Sequence, residues 1–469
     1  MLRDIIRKEI LEYINSPKFV FTFLLCTILI VLSVYTGIDN YRAEQREYNA
    51  AIALNTKNLE NQQTYGALAG LGTKITKPPQ VLSTVITGVQ EAVGRQATVN
   101  VAYDPSLVDS KYDSNPVLAI FGELDLTLIV RIVMSLLAVL FTYNAIVGEK
   151  EMGTLKLNLS NRMPRDRLIL GKAIGGIISL LVPLVIPFLI GLIMLVTFPG
   201  VAFTGEVWAR LGLIFLLFIL YLAVFFTLGL LVSSITKRSS NSLFILLFIW
   251  VIFIFVIPKT AVIIAGRINP IPSMHEITAE KDAFLQEIQS SAQKEMMEWH
   301  KNNPYDKSMS QEEYQEKFRA YIEELQQNAT ARIDAKNAEL ETEYQSKRQK
   351  QQMLALYLSR ISPASALSFG AMSIGKTGIH EHERFLNSIK SYKPVFTKWA
   401  NTKMMQSINF KDMSNQPKPD IADMPKHKFT PMSLRESLTL ALPDFVVMIL
   451  MAILFFAGAF VSFLRYDVR

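Results

Sequence analysis

The sequence predicts a mainly α-helical, polytopic membrane protein that crosses the bilayer six times. Half of its 469 residues are hydrophobic, and they are concentrated in six long runs. A hydrocarbon core of roughly 30 Å requires about 20 apolar residues of helix. Each run must be helical, because an isolated segment in lipid has to satisfy its own backbone hydrogen bonds. The predicted spans are 19–37, 124–147, 171–198, 208–235, 242–265 and 439–464.

The distribution of Lys and Arg predicts the orientation of these spans. Basic residues occupy the N-terminal segment 1–18, the connection 148–170, the pair Lys237–Arg238 and the C-terminal tail, whereas the connection 199–207 has no Lys or Arg. Cytoplasmic connections carry the excess of Lys and Arg. Both termini are therefore predicted to be cytoplasmic, with a bacterial inner membrane as the simplest location. The net charge of +7 follows from this topology, so no nucleic-acid partner is needed to explain it.

The N-terminal segment 1–18 has the pattern of an amphipathic helix. Its apolar residues recur at helical spacing, with charged residues between them: Ile5, Ile6, Ile10, Leu11 and Ile14. Such a helix lies in the plane of the membrane interface. It is either a simple anchor on the inner leaflet or an elbow helix that contributes to a docking surface.

Two long insertions, 38–123 and 266–438, are predicted to be extracytoplasmic. In the first, a polar helical stretch at 41–63 extends the first span, and 81–101 allows short strands. In the second, helical periodicity predicts an antiparallel hairpin that projects from the membrane, formed by 276–302 and 311–356. Ser310 and Glu313 have the spacing of a capping box at the start of its second helix. A further helix at 381–410 and a Pro-rich linker at 411–431 lead to the last span, and 439–469 comprises that span and a cytoplasmic tail.

Two motifs in the second insertion match known ligand-binding patterns without the required context. Gly370–Thr377 fits the P-loop pattern GxxxxGK[ST], but a P-loop needs a buried strand before it, and Ser362–Ser365 is a poor strand. The predicted topology also places this motif where there is no ATP. His380–Glu383 offers two histidines, yet no tight four-ligand set accompanies them. A solvated polar loop is the better interpretation, and we expect no metal or cofactor on this chain.

Four ionisable residues fall within or at the ends of predicted spans, at a similar depth: Asp125, Arg131, Lys259 and Asp444. Ionisable groups in a membrane span are costly and often functional. Each could extend towards the interface. Alternatively, Arg131 could pair with Asp444, or Lys259 with Asp125, to hold an outer gate or to line a path.

The segment 148–170 carries the most specific motif. It begins Gly148-Glu149-Lys150-Glu151-Met152-Gly153-Thr154-Leu155 and continues through Asn161-Arg162-Met163-Pro164-Arg165 to Gly171-Lys172. With Gly122-Glu123-Leu124-Asp125 and the start Arg7-Lys8-Glu9-Ile10-Leu11, it resembles the type-2 ABC-transporter permeases, in which E-(R/K)-E-x-G-T-L follows the second span. Pro258-Lys259-Thr260-Ala261 and Asn269-Pro270-Ile271-Pro272-Ser273 are similar to a subfamily with a large extracytoplasmic insertion before the last helix.

The resemblance implies a membrane subunit that pairs with a second permease subunit, identical or not, and with separate cytoplasmic ABC ATPase subunits. ATP and magnesium would bind to those ATPases. The resemblance also implies which residues couple the two: Arg7, Lys8, Glu9, Glu149, Lys150, Glu151, Gly153, Thr154 and Leu155. Glu149, Lys150 and Glu151 would contact the ATPase, Gly153 would permit a turn, and Thr154 would cap the next helix.

Three functions remain open at this point. The first is ATP-driven export or extraction of a hydrophobic or lipid-linked substrate. The second is transmission of ATPase motion through the outer helices to an extracytoplasmic protein partner, with little transport. The third is a membrane scaffold or receptor that works without an ATPase.

Overall fold

The computed structural model describes residues 2–90, 93–103, 105–108, 125–160, 164–198, 203–304, 310–407 and 417–466. Within them, six helices are long and apolar enough to cross a membrane. We name them TM1 to TM6: Pro17–Glu60, Leu126–Glu151, Arg165–Thr197, Gly205–Ile235, Ser239–Ile268 and Leu434–Leu464. All six predicted spans are confirmed.

A short helix, α1, covers Leu2–Ile14 and confirms the predicted N-terminal helix. Ser16 caps the start of TM1, because its side chain accepts a hydrogen bond from the Phe19 amide. TM1 continues without a break to Glu60, well beyond the apolar run, so the polar stretch does extend the first span as predicted. The end of the bundle that carries α1 is called the α1 end below.

A small subdomain follows TM1 and is built from distant parts of the chain. It contains the helix α2 (Tyr65–Leu71) and a sheet of β1 (Thr73–Thr76), β2 (Gln96–Val99) and β3 (Ser106–Val108). The strands are antiparallel in the order β1-β2-β3, with Thr73 opposite Val99 and Gln96 opposite Val108. The prediction of strands over 81–101 is only partly right, because Val81–Thr84 forms a 3-10 turn.

TM2 and TM5 each contain a stretch of π-helix, at Ile129–Met134 and Ile252–Val256. π-helical turns are rare and frequently lie at functional sites. TM2 ends in a short helix, α3 (Val147–Glu151), and another short helix, α4 (Thr154–Ser160), follows it. Neither π-helical stretch can be recognised from hydropathy, because both lie in mainly apolar runs, although Arg131 interrupts the first.

Residues 261–358 form a separate compact unit. It contains α5 (Met274–Asn302) and α6 (Gln311–Ser359), the two helices of the predicted hairpin. They run antiparallel: the Tyr321 hydroxyl donates to the Glu295 carbonyl at 3.1 Å, and Gln351 Nε2 donates to the Asn269 carbonyl at 2.8 Å. The side chain of Trp299 packs on Phe318 with ring centroids 5.0 Å apart. The hairpin pairing is therefore confirmed.

Two helices follow the hairpin in sequence. The first, α7 (Pro363–Gly375), has no exposed residue along its length and packs against TM4 and TM6. The second, α8 (Ile379–Ser407), confirms the predicted helix at 381–410, of which 408–410 lie outside the described residues. Of the predicted linker 411–431, the described part 417–431 is irregular, as are the next two residues. The α7 helix was not predicted, and the end of the bundle that carries it is called the α7 end.

The subdomain core forms where α8 packs on the sheet and α2. Its buried residues come from TM1, α2, β1, β2 and α8: Leu59, Leu68, Ala69, Ile75, Ala97, Val99, Phe385, Ile389, Tyr392, Phe396 and Ala400. We call TM1's polar end, α2, the sheet and α8 together the sheet subdomain. Asn55 on TM1 covers the free edge of β1. Its Oδ1 accepts a hydrogen bond from the Lys74 amide at 2.8 Å.

The sheet subdomain also buries one lysine. The Lys77 side chain is 3% exposed, and burial lowers its pKa to about 8 although the nearby Glu381 and Glu44 carboxylates oppose that shift. A buried ammonium is costly because few groups replace its water shell. Lys77 therefore makes the stability of the subdomain depend on pH.

We expect the subdomain to become more stable as pH rises from about 8 to 10.5, by up to about 3 kcal/mol. In this range the unfolded chain holds a proton on Lys77 that the folded chain has released, since the unfolded pKa is 10.5. Denaturant unfolding followed by the fluorescence of Trp399 measures this effect. The Lys77→Met variant should lose the rise, and the exposed Lys74→Met control should keep it. An unchanged pH profile in Lys77→Met would contradict the assignment.

Candidate functional site

The predicted coupling residues gather at the α1 end of the bundle. The α1 helix lies across the first turns of TM3, with Ile5 and Glu9 buried. Two glycines one turn apart in TM3 make this crossing possible. A Cβ at Gly171 would overlap the Ile5 side chain, and one at Gly175 would lie 2.8 Å from Glu9 Cβ. The small residues thus let α1 and TM3 approach closely enough for their charged groups to meet.

At this crossing, the ammonium of Lys172 lies between two carboxylates. Lys172 Nζ is 2.9 Å from Glu9 Oε1 on α1 and 2.8 Å from Glu149 Oε1 on α3. The lysine side chain is 4% exposed and that of Glu9 is 6% exposed. Charge-assisted hydrogen bonds of this length are strong, and removing one partner leaves a buried charge uncompensated. Lys172 therefore joins α1, α3 and TM3 at one point.

Lys150, which follows Glu149 in the chain, binds the C-terminal end of TM4. Its Nζ donates to the carbonyl oxygens of Ser234 and Thr236, the latter at 3.3 Å. These carbonyls end TM4, where the helix dipole places partial negative charge and favours a cation. The same ammonium lies 4.6 Å from the centre of the Tyr466 ring, which follows TM6. Lys150 thus links α3 to TM4 and to the residues after TM6.

Glu151 binds the N-terminal end of TM5, whereas Lys150 binds the C-terminal end of TM4. Its carboxylate accepts hydrogen bonds from the Ser239 amide, at 3.0 Å, and from the Ser239 hydroxyl. An acidic group at a helix N-terminus satisfies a free backbone N–H and complements the dipole. Three consecutive charged residues, Glu149 to Glu151, therefore bind three different transmembrane helices. We call residues 147–155 the hub segment.

The backbone of the hub segment is fixed as well. Ser233 Oγ on TM4 accepts hydrogen bonds from the amides of Ile146 and Val147, both at 3.0 Å. Gly153 has a φ of +75°, a left-handed conformation that favours glycine, so it does permit the turn between α3 and α4. Thr154 acts differently from the expectation: its hydroxyl donates back to the Glu149 carbonyl at 3.4 Å instead of capping α4.

The charged hub residues thus have partners within the chain, as does Glu9, whereas other groups face outward. Arg7 and Lys8 on α1 are exposed, and so are Met152 at 72% and Leu157 at 66%. Leu155 is buried, at 1% exposed. Exposed Met and Leu side chains at the end of a helical bundle are suited to contact another protein. The solvent-exposed surface at the α1 end is therefore apolar at Met152 and Leu157 and basic along α1.

The four ionisable candidates lie at the α7 end, but neither predicted pair forms. Asp125 caps TM2, with Oδ1 2.7 Å from the Leu128 amide. Arg131 donates to Ser368 Oγ on α7 at 3.0 Å, and Asp444 instead pairs with Arg360 at 2.7 Å. Lys259 is exposed. The pairing predictions were wrong because α7, which was not foreseen, supplies or positions the actual partners of Arg131 and Asp444.

Sequence reasoning also missed Arg210 in TM4, which is 1% exposed. Its guanidinium pairs with Glu206 at 2.7 Å, one helical turn earlier. The i,i+4 spacing of Glu206 and Arg210 is visible in the sequence and could have been noticed. Its remaining donors bind carbonyl and hydroxyl groups that no spacing rule identifies.

The two ligand-like motifs adopt other structures. Gly370–Gly375 forms the last turns of α7, and Lys376 caps that helix with a φ of 60°. The motif thus ends a helix, whereas a P-loop precedes one. His380–Glu383 is the start of α8, and Glu381 and His382 are buried, so the expected solvated loop is wrong. Among the described residues, no three His, Cys, Asp or Glu side chains could hold a metal ion.

Comparison with known proteins gives one match that covers the chain. A family model described as "ABC-2 family transporter protein" matches residues 3–468. No curated protein matches the sequence significantly. Two parts of the resembling stretch, Gly122–Leu124 and Asn161–Met163, lie outside the described residues.

The Lys172→Met variant should be less stable than the wild type by about 3–5 kcal/mol, because it leaves the buried Glu9 and the partly buried Glu149 carboxylates without their cation. Unfolding in mixed detergent micelles measures this loss. Adding Glu9→Gln and Glu149→Gln should recover part of it, and the exposed Lys156→Met is the matched control. Equal stability of Lys172→Met and Lys156→Met would show that the buried lysine does not hold these elements together.

Proposed function

The chain belongs to the ABC-2 family of transporter proteins, and we propose that it is a permease subunit on which a separate ATPase acts through the α1 end. A multi-pass membrane subunit of an ABC transporter needs a surface where motion of the ATPase enters. The observation that carries the proposal is the hub segment, in which Glu149, Lys150 and Glu151 each bind a different transmembrane helix.

The α1 end is proposed to face the cytoplasm, where ATP is available. Exposed Arg3, Arg7 and Lys8 lie on α1, and the connection between TM4 and TM5 adds Lys237 and Arg238. The excess of Lys and Arg marks the cytoplasmic side of a bundle. We propose the inner membrane of a bacterium as the location of the protein, with both termini on the cytoplasmic side.

Contact with the ATPase is assigned to the exposed side chains of α1 and to Met152 and Leu157, and transmission to the side chains that bind other helices of the chain. Met152 and Leu157 would enter an apolar recess of the ATPase, and Arg7 and Lys8 would pair with acidic groups around it. Residues that are well packed at the centre of an interface supply most of its binding energy. Glu9, Glu149, Lys150 and Glu151 then pass a displacement of α3 on to α1, TM3, TM4 and TM5.

The moving unit is proposed to be a rigid bundle within a pair of subunits. The second permease subunit is a copy of this chain or a related one, and each subunit would contact one ATPase that holds ATP and magnesium. Closure of the ATPases would rotate the bundles relative to each other, as in other rigid-body transitions. The transport reaction that we propose is export or extraction of a hydrophobic or lipid-linked substrate.

A second candidate function is transmission of ATPase motion to an extracytoplasmic protein. The 49-residue helix α6 and its partner α5 favour it, because many of their side chains are exposed. Long helices that are polar on most sides need partners or solvent bridging roles. In this case the bundle would move in the same way, but the result would be movement of the extracytoplasmic insertions.

The test is purification of the chain with its ATPase from native membranes, followed by measurement of ATP turnover in the isolated complex. The double variant Met152→Asp, Leu157→Asp should lower recovery of the ATPase at least about tenfold, a cost of about 1.4 kcal/mol or more. Met405→Asp on α8 is the matched control, because Met405 is also 72% exposed.

Full recovery of the ATPase with the double variant would refute the assigned contact. Absence of any ABC ATPase from the wild-type preparation would refute the coupling proposal as a whole. That outcome would leave the scaffold or receptor function.

A further inference from the structure

The α7 helix is enclosed on all sides and is held at several points along its length. Each of its 13 residues, Pro363 to Gly375, is buried. It lies against TM4 and TM6 and also contacts the π-helical stretches of TM2 and TM5. A helix in this position between spans could be a movable gate or a fixed element. The polar contacts along α7 distinguish these two possibilities.

The N-terminal end of α7 is fastened to TM5 and TM6. The Ser362 hydroxyl, at the N-cap, donates to the Phe253 carbonyl in the π-helical stretch of TM5. Arg360, two residues earlier, pairs with Asp444 of TM6 at 2.7 Å, and the Asp444 side chain is fully buried. A π-helical turn displaces carbonyls from the regular pattern, and here one of them accepts the cap hydroxyl.

The middle of α7 is fastened to TM2 and, through it, to TM4. Arg131, in the π-helical stretch of TM2, donates to Ser368 Oγ at 3.0 Å. The Arg131 carbonyl accepts a hydrogen bond from the Tyr221 hydroxyl of TM4 at 2.6 Å. Both groups are buried, and Tyr221 is among the largest fully buried side chains. The contact therefore connects α7 with two spans at one level.

The C-terminal end of α7 is fastened to TM4 and the start of TM6. Arg210 Nη1 donates to the Ile374 carbonyl at 2.6 Å and to Ser437 Oγ at 2.9 Å. Its Nη2 donates to the Met432 carbonyl at 2.9 Å. Helix C-terminal carbonyls favour a cation, and a guanidinium presents several donors in a fixed plane. Lys376, the cap residue, pairs with Glu206 at 3.0 Å.

The same end of α7 also contacts the sheet subdomain, through the segment that joins β1 to β2 and through the start of α8. The Val89 amide donates to the Thr377 carbonyl at 3.0 Å, and Gln90 Nε2 donates to the Lys376 carbonyl at 3.1 Å. Gly88, with a φ of +64°, lies so close to Thr377 that a side chain would overlap it. The Glu381 carboxylate, at the start of α8, accepts a hydrogen bond from the Met432 amide at 3.1 Å. The subdomain is thus attached where α7 meets TM4 and TM6.

We infer that α7 is a fixed strut, which holds the α7 ends of TM2, TM4, TM5 and TM6 as one rigid body and passes their movement to the sheet subdomain. Opening at α7 would separate Asp444 from Arg360 and Arg210 from its acceptors inside a buried region. Such unpaired buried charges are strongly unfavourable. This inference rests on the proposed function, because ATPase closure supplies the movement, and it assigns the sheet subdomain as the element that receives it.

The test is a disulfide that fixes α7 to TM4. A Cβ at residue 370 lies 3.0 Å from Leu217 Cδ2, so these two positions are in direct contact and are chosen for the cysteine pair. The variant Gly370→Cys, Leu217→Cys is made with Cys26→Ser, which removes the native thiol, and is purified with its ATPase. ATP turnover in lipid nanodiscs is compared before and after reduction of the same sample, with cross-linking checked by mass.

A strut predicts that the oxidised complex retains at least half of the turnover of the reduced complex. A loss of more than half would overturn the inference, because it would show that α7 must separate from TM4 during the cycle. Hydrogen exchange of the wild-type complex provides a second measurement without any substitution. Amides of α7 should exchange equally slowly with and without ATP turnover, and faster exchange during turnover would also overturn the inference.

These outcomes are distinguishable from failure of the proposed function. If no ATPase accompanies the wild-type chain, coupling itself is wrong. If the wild-type complex turns over ATP but the oxidised variant does not, coupling stands and the strut is wrong. The single variants Gly370→Cys and Leu217→Cys, treated with the same oxidant, separate a packing defect from the effect of the cross-link.

Discussion

The ammonium of Lys172 is the group on which the α1 end depends. It neutralises Glu9 from α1 and Glu149 from the hub segment, three positions far apart in the chain. Lys172 and Glu9 are almost fully removed from water, so neither charge is tolerable there alone. The geometry around them follows from this requirement: Gly171 and Gly175 let α1 come close, and α3 must turn its first acidic residue towards TM3. With Glu149 in this position, Lys150 and Glu151 bind the ends of TM4 and TM5.

Both ends of the bundle use the same physical solution. Apolar side chains gain little from leaving lipid for another apolar surface, so helix packing in a membrane relies on close fit and on polar contacts. At the α1 end, Lys150 and Arg165 bind the terminal carbonyls of TM4 and TM6, and at the α7 end Arg210 binds those of α7. Directional contacts at both ends favour movement of the spans as a group. A displacement applied at the hub segment can then reach the sheet subdomain.

The sequence predicted the spans and the hairpin because their signals are local. Apolar length fixes a span, and the stripe through Phe318, Leu340 and Tyr344 identifies a long helix that needs a partner. The α7 helix was missed since its 13 residues are too short for a span and rich in Ala, Ser and Gly. The hub segment was located by its motif, but its partners were not. Ser234, Ser239 and Lys172 are separated from it by turns or by whole spans, and only folding brings them together.

The central claim is that the hub segment, together with the helix α4 that follows it, moves with TM3 when the ATPase acts. Distances between spin labels at Lys156→Cys and Ile174→Cys, in a Cys26→Ser background, test it most directly in the assembled complex. Both native side chains are exposed. Within one subunit, this distance should change by less than about 2 Å between the nucleotide-free and the ATP-trapped complex, while the distance between the Lys156→Cys labels of the two subunits shifts by more. A change within one subunit as large as the change between subunits would contradict the claim.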